Sequence, residues 1–206
     1  MFRMTGLRAD ARRNREKILA AARELFREQG TAVALDDIAR RAGVGIGTLY
    51  RRFPDRDALV TDVALEGFET VLAVVEAARA AGGGAEAVLD EIFRRVVEQR
   101  ERLVMPLVGG PVVRDARVRK LQRAILVALE EVLVEGRGEG VLRADITAFD
   151  LVGAAAMACR PMPHLPREAA GALAARHVGV YLHGLRPHGA PALPDMVDPG
   201  EYLGLG

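Results

Sequence analysis

Four sets of side chains in this sequence could carry chemistry: four histidines, one cysteine, a glycine-punctuated loop, and a cluster of hydroxyl, phenol and guanidinium groups between residues 46 and 52. The histidines, His164, His177, His183 and His188, crowd toward the C-terminal end. No two of them have the i, i+4 spacing that would set imidazoles on one helical face around a metal ion, so no metal site is expected. Cys159 stands alone among alanines. It reads as inert core packing rather than an oxidant sensor, and a single thiol allows no internal disulfide. The loop Gly43-Val-Gly-Ile-Gly47 has the glycine content of a phosphate cradle, but it follows a helical pattern rather than a strand and lacks the lysine that completes such a motif. It is a turn. The expectation is therefore a protein without catalytic residues or cofactor, not an enzyme. What remains is the fourth set: Thr48 and Tyr50 can donate to phosphate oxygens, and Arg51 and Arg52 supply positive charge.

Two short helices must position that set. Leu35, Ile38, Ala39 and Ala42 fall at helical spacing, Gly43 follows where the chain turns sharply, and a second helix runs from Ile46 to Phe53. Leu49 and Phe53, an i, i+4 pair, turn inward. Ile46, Gly47, Thr48, Tyr50, Arg51 and Arg52 are thereby left pointing outward. This is a helix-turn-helix, and small residues at the start of its second helix let the backbone approach base edges. Before it, Ile18, Leu19, Ala22, Leu25 and Phe26 make one apolar stripe from about Ala11 to Gln29, which predicts a buttressing helix. Residues 1–10 read as an arm carrying Arg3 and Arg8, continuing into Arg12, Arg13 and Arg15, with DNA backbone or solvent as its two possible surroundings.

The charge distribution agrees. The 206 residues have a formal net charge of only +1. Residues 1–60 nevertheless hold 13 Lys and Arg against 8 Asp and Glu, and the remainder 16 against 20. A basic head on an acidic body suits a protein that gains non-specific affinity by neutralising phosphates. Half of the residues are hydrophobic, enough for a sizeable core. The start, Met1-Phe-Arg-Met-Thr-Gly, lacks the apolar stretch of a signal peptide, and no run of about 18 uncharged apolar residues occurs, so a soluble cytoplasmic protein that makes no membrane contact is expected.

Beyond Pro54, Asp55 is placed to cap a long helix, Arg56 to about Ala80, that ends at Gly82-Gly-Gly84. Further helices are predicted over 85–105, 112–134, 148–160, opened by a capping box of Thr147 and Asp150, and 167–185. The glycine-rich Gly136-Arg-Gly-Glu-Gly140 is expected to follow the helix over 112–134, and the tail from Arg186 has no periodicity. The whole is all-α: a helix-turn-helix DNA-binding domain over 1–54, a helical body over 55–185 and an irregular tail over 186–206. Small residues are dense in the last two helices. Gly153, Ala154, Ala158, Gly171, Ala175 and Gly179 permit close helix approach, either within one chain or across a two-fold axis in a four-helix bundle.

Residues 11–60 resemble the N-terminal domain of the TetR family of transcriptional regulators. The resemblance rests on Ile18-Leu-Ala-Ala-Ala-Arg-Glu-Leu-Phe26, Gly30, Asp37-Ile-Ala39, Ala42-Gly-Val44, Gly47-Thr-Leu-Tyr50, Phe53 and Leu59. It implies that Gly45, Ile46, Gly47 and Thr48 face bases, that Tyr50, Arg51 and Arg52 face phosphates, and that Arg56 meets the DNA backbone. Two positions depart from the family pattern: Ala34 replaces a Ser or Thr that caps the first motif helix, and Ile46 replaces a polar or charged residue. The resemblance further implies a homodimer on a double-stranded operator, released when a small-molecule effector fills the body. Phe68, Leu72, Phe93, Val97, Met105, Leu126 and Met157 are then its wall residues, and Arg100 or Arg160 its polar anchors. The body also faintly resembles a subgroup described as SbtR-like. The alternatives are a helical enzyme or carrier whose helix-turn-helix is structural, and an activator or effector-free architectural dimer.

Overall fold

The computed structural model describes residues 3–103, 115–187, 189 and 191–194. Its regular structure, among the described residues, is α-helix: α1 (Arg3–Gln29), α2 (Leu35–Ala42), α3 (Ile46–Arg52), α4 (Arg56–Ala81), α5 (Gly84–Gln99), α6 (Ala116–Gly138), α7 (Ala148–Ala158) and α8 (Arg167–Gly184). The all-α class expected from periodicity is the class observed. Two compact units, Met1–Ala64 and Leu65–Gly206, divide the chain. That division falls inside α4 rather than at Pro54, because Leu59, Val60 and Val63 on the first turns of α4 are buried in the first unit.

In the first unit the apolar stripe of α1 is buried at Ile18, Leu19, Ala22, Leu25 and Phe26, as its spacing requires. α2 packs against α1, and α3 against α2. The helix begins at Arg3, well before the apolar stripe, so the expected arm is helical from residue 3 onward. No proline interrupts this stretch, and local pairs favour the helix: Arg12 to Glu16 at 3.5 Å, and Arg13 to Asp10 one turn back. Arg15 leaves the helix surface to meet the Asp62 carboxylate at 2.9 Å, fastening α1 to α4 within the unit. At the start of α4, the Asp55 carboxylate accepts the Ala58 N–H at 2.7 Å, the expected cap.

The second unit is built on one core to which Val75, Leu89, Phe93, Leu129, Leu133 and Leu151 contribute. α5 packs against α6, α7 and α8, with α7 also against α6 and α8. The capping box at α7 is present: the Asp150 carboxylate accepts the Thr147 N–H at 2.8 Å. Asp115 caps α6 by accepting the Arg117 and Val118 N–H groups, and the Arg117 guanidinium beside it pulls its pKa down to about 2.

α6 runs past the expected stop to Gly138, and close packing explains why. A Cβ on Gly136 would lie 2.3 Å from Leu142 Cδ1 and 2.9 Å from the Ala85 Cβ, so the helix passes this crossing because residue 136 has no side chain. One turn on, the Glu139 carboxylate accepts the Ala85 N–H at 3.1 Å and closes the start of α5. In the tail, the Leu193 N–H donates to Asp145 at 2.9 Å while Arg143 donates to the Pro191 carbonyl at the same distance. Gly136→Ala should destabilise the protein by about 2 kcal/mol, an overpacking cost, read as a lower denaturation midpoint; an unchanged midpoint would show that Leu142 moves aside freely.

Candidate nucleic-acid interface

The turn between α2 and α3 is set by Gly43, whose φ of +65° lies in the left-handed region, and the Val44 N–H closes it by donating to the Ala39 carbonyl at 3.0 Å. The orientation of α3 follows from two side chains. Leu49 is fully buried and Phe53 is 2% exposed. With that face committed, Gly45, Gly47, Arg51 and Arg52 are exposed, Tyr50 is 49% exposed, and Ile46 and Thr48 are half-buried. Seven of the eight DNA-binding residues expected from the sequence thus lie together on or beside α3.

Charge pairing sets Arg51 and Arg52 apart from five other arginines of this unit. Arg12, Arg13, Arg15, Arg40 and Arg41 each face a carboxylate: Glu16, Asp10, Asp62, Asp37 and Glu24 respectively. Arg51 and Arg52 face none among the described residues. An exposed guanidinium without a carboxylate keeps its donors and its full charge for a phosphate.

Arg56, the eighth residue, is engaged elsewhere. Its Nη1 donates to the Thr31 carbonyl at 2.6 Å and to the Val33 carbonyl, both in the connection between α1 and α2. Periodicity carries no signal for a bond between residues 23 and 25 positions apart.

The residues expected to wall an effector pocket are scattered. Phe93 and Val97 are core, while Phe68, Leu72 and Leu126 are half-buried against that core. Met157 is 74% exposed and lines no interior, because it sits on the outward side of α7. Met105 lies outside the described residues. Arg100 is held by backbone, its guanidinium donating to the Arg167 carbonyl at 2.8 Å and the Val97 carbonyl at 3.3 Å; Arg160 is exposed. A cavity of about 120 Å³ opens between α5 and α8, lined by Glu86, Leu89, Asp90, Leu142, Leu182 and Arg186 among others, and none of the nine expected residues borders it.

The small residues of α7 and α8 also divide. Ala158 is buried in the core, and Gly171 faces Arg100, where a Cβ would come within 3.0 Å of the guanidinium. These two take part in packing within the chain. Gly153, Ala175 and Gly179 are exposed and Ala154 is half-buried. Met157 and Val180, the latter 67% exposed, add large apolar side chains to the exposed residues of the same two helices.

Residues 18–63 match the family model for bacterial regulatory proteins of the tetR family. An HTH-type transcriptional regulator of Staphylococcus aureus is 43% identical over 54 residues, 26% of this chain and 29% of that relative, so the match spans less than a third of the curated protein. A TetR transcriptional regulator of Streptomyces coelicolor is 31% identical, the alignment covering 84% of this chain and 99% of that one with a TM-score of 0.54. A TetR regulatory protein of Mycobacterium vanbaalenii is 30% identical, covering 87% and 99% with a TM-score of 0.56. A tetR-family protein of Rhodococcus, 20% identical over 88% and 98% with a TM-score of 0.66, shares the fold.

The remaining reactive group is buried. Cys159 is 7% exposed with its thiol turned toward the Val96 carbonyl, and burial pushes its pKa up to about 11 against the opposing charge of Arg100. The thiolate therefore forms in the folded protein only as the pH nears that value. Iodoacetamide at pH 8 should label the native protein at least about a hundredfold more slowly than the denatured chain, whose thiol ionises near 8.5. Comparable rates would mean an accessible thiol.

Proposed function

The chain belongs to the TetR family of transcriptional regulators, and we propose that it is a homodimeric repressor that grips its operator through α3 and lets go when a small molecule binds the body. The observation that carries the DNA-facing part of this reading is the pair Arg51 and Arg52, exposed and without carboxylate partners in a unit whose neighbouring arginines are paired. Tyr50 stands beside them for a further phosphate, and Gly45, Ile46, Gly47 and Thr48 are the residues for base edges. Ile46 offers a methyl contact to thymine, and Thr48 a hydroxyl. With so few directional groups, part of the sequence choice falls to DNA shape.

One such head reads only a few base pairs. Two heads about 34 Å apart in successive major grooves multiply the discrimination, which is the physical reason for a dimer. The exposed Met157 and Val180, beside Gly153, Ala154 and Ala175, support a two-fold contact through α7 and α8. Release by an effector requires that it favour a conformation with heads ill-spaced for DNA by a few kcal/mol. The half-buried Phe68, Leu72 and Leu126 are the side chains best suited to yield to such a molecule. The setting is the cytoplasm, and no described helix is long and apolar enough to cross a membrane.

The purified protein should retard an operator selected from its own genome. Arg51→Ala and Arg52→Ala should each weaken that binding roughly tenfold and lower the slope of log affinity against log salt by about 0.9. Unchanged binding by both variants would remove α3 as the DNA-facing element. Val180→Glu should convert the dimer to a monomer in analytical ultracentrifugation, since it sets like charges facing each other across the axis; a persisting dimer would place the contact elsewhere.

A further inference from the structure

Ala34 occupies the N-cap position of α2, and the N-terminus of this helix has no side-chain cap. A methyl group cannot accept the N–H groups that a serine or threonine hydroxyl would. The helix is nonetheless held at its entry, because the two carbonyls just ahead of it, on Thr31 and Val33, both accept from Arg56 Nη1. Arg56 is the first residue of α4, and Asp55 beside it caps that helix. One guanidinium thus joins the first turn of α4 to the segment that feeds α2. The α2 first turn itself rests on the Ala34 carbonyl, which accepts from Asp37 at 3.1 Å and Ile38 at 3.3 Å.

We infer that Arg56 is a positioning residue that anchors the entry to the uncapped α2: by clamping the Thr31 and Val33 carbonyls it fixes where α2 starts and, through the Gly43 turn, the angle at which α3 is presented. In this role Arg56 acts on DNA affinity without touching a phosphate. Val33 is buried and its N–H donates to the Gly30 carbonyl at 3.5 Å, whereas Thr31 and Ala34 are exposed, so the clamp adds a tie from α4 to a connection that is only partly held. A coupling of this kind also means that any displacement of the first turn of α4 is delivered to the loop ahead of α2.

The DNA arm of the test rests on the α3 reading above; the exchange arm does not. Arg56→Gln removes the guanidinium, and Ala34→Ser supplies a hydroxyl able to cap α2 independently. In the full-length free protein, Arg56→Gln should speed hydrogen exchange at the Asp37 and Ile38 amides about tenfold, and the double variant should restore protection. Operator affinity of Arg56→Gln should fall roughly tenfold with no change in salt slope, and the double variant should regain it, again at the same slope. If Arg56→Gln does not fold, Arg56→Lys, which keeps the charge but loses the fork, is compared in the same way. A slope lowered by about 0.9 would make Arg56 a phosphate contact and overturn the inference. Unaltered exchange, or no rescue by Ala34→Ser, would overturn it as well. Absence of operator binding by the unmodified protein would count against the α3 reading, leaving the clamp to be decided by exchange.

Discussion

The burial of Leu49 and Phe53 is the constraint from which the DNA-facing side of this protein follows. α3 is only seven residues long and could not persist as an isolated helix, since so short a segment does not recover the cost of nucleation. Its helicity and its rotation about its own axis are both set by tertiary packing. Two residues one turn apart, each contributing roughly 2 kcal/mol on burial, commit one face to the core. Tyr50, Arg51 and Arg52 face outward as a consequence.

Electrostatics then refines what packing has selected. Arginine is abundant in this chain, so its presence on a surface carries little information; its lack of a local partner carries more. The carboxylates of α1, α2 and α4 pair with Arg12, Arg13, Arg15, Arg40 and Arg41, and the exposed pairs among these each contribute at most about 1 kcal/mol. Arg51 and Arg52 on α3 face no carboxylate among the described residues. Arg56 occupies a third state, neither paired with an acid nor free, since it donates to two backbone carbonyls of the connection between α1 and α2.

The second unit is governed by how closely its helices approach. Gly136 lets α6 pass Ala85 and Leu142, and Gly171 leaves room for the Arg100 guanidinium, which in turn satisfies carbonyls at the end of α5 and the start of α8. Small residues that look alike in the sequence therefore have opposite roles. Some close the interior of the chain, whereas Gly153 and Ala175 remain at the surface beside the exposed Met157 and Val180.

Local signals were enough to recover most of the elements. Apolar stripes with a period of 3.6, the Gly43 turn, the Asp55 cap and the Thr147–Asp150 capping box all depend on residues within a few positions of one another, which is why they are legible in the bare sequence. The outward set on α3 was legible for the same reason, because an i, i+4 pair of large apolar residues defines its own opposite face. What lay beyond reach were the relations between distant residues. That α6 continues through Gly136, that Arg15 reaches Asp62 and that Arg56 clamps Thr31 and Val33 depend on side chains meeting after the helices have packed. Met157, placed in a pocket wall by resemblance, is outside because the rotation of α7 is fixed by Leu151 and Ala158 on its other side. Which segments are helical and which face of each is apolar follow from local pattern; which polar groups those faces bring together follows from packing, since a hydrogen bond between distant residues leaves no periodic trace along the chain.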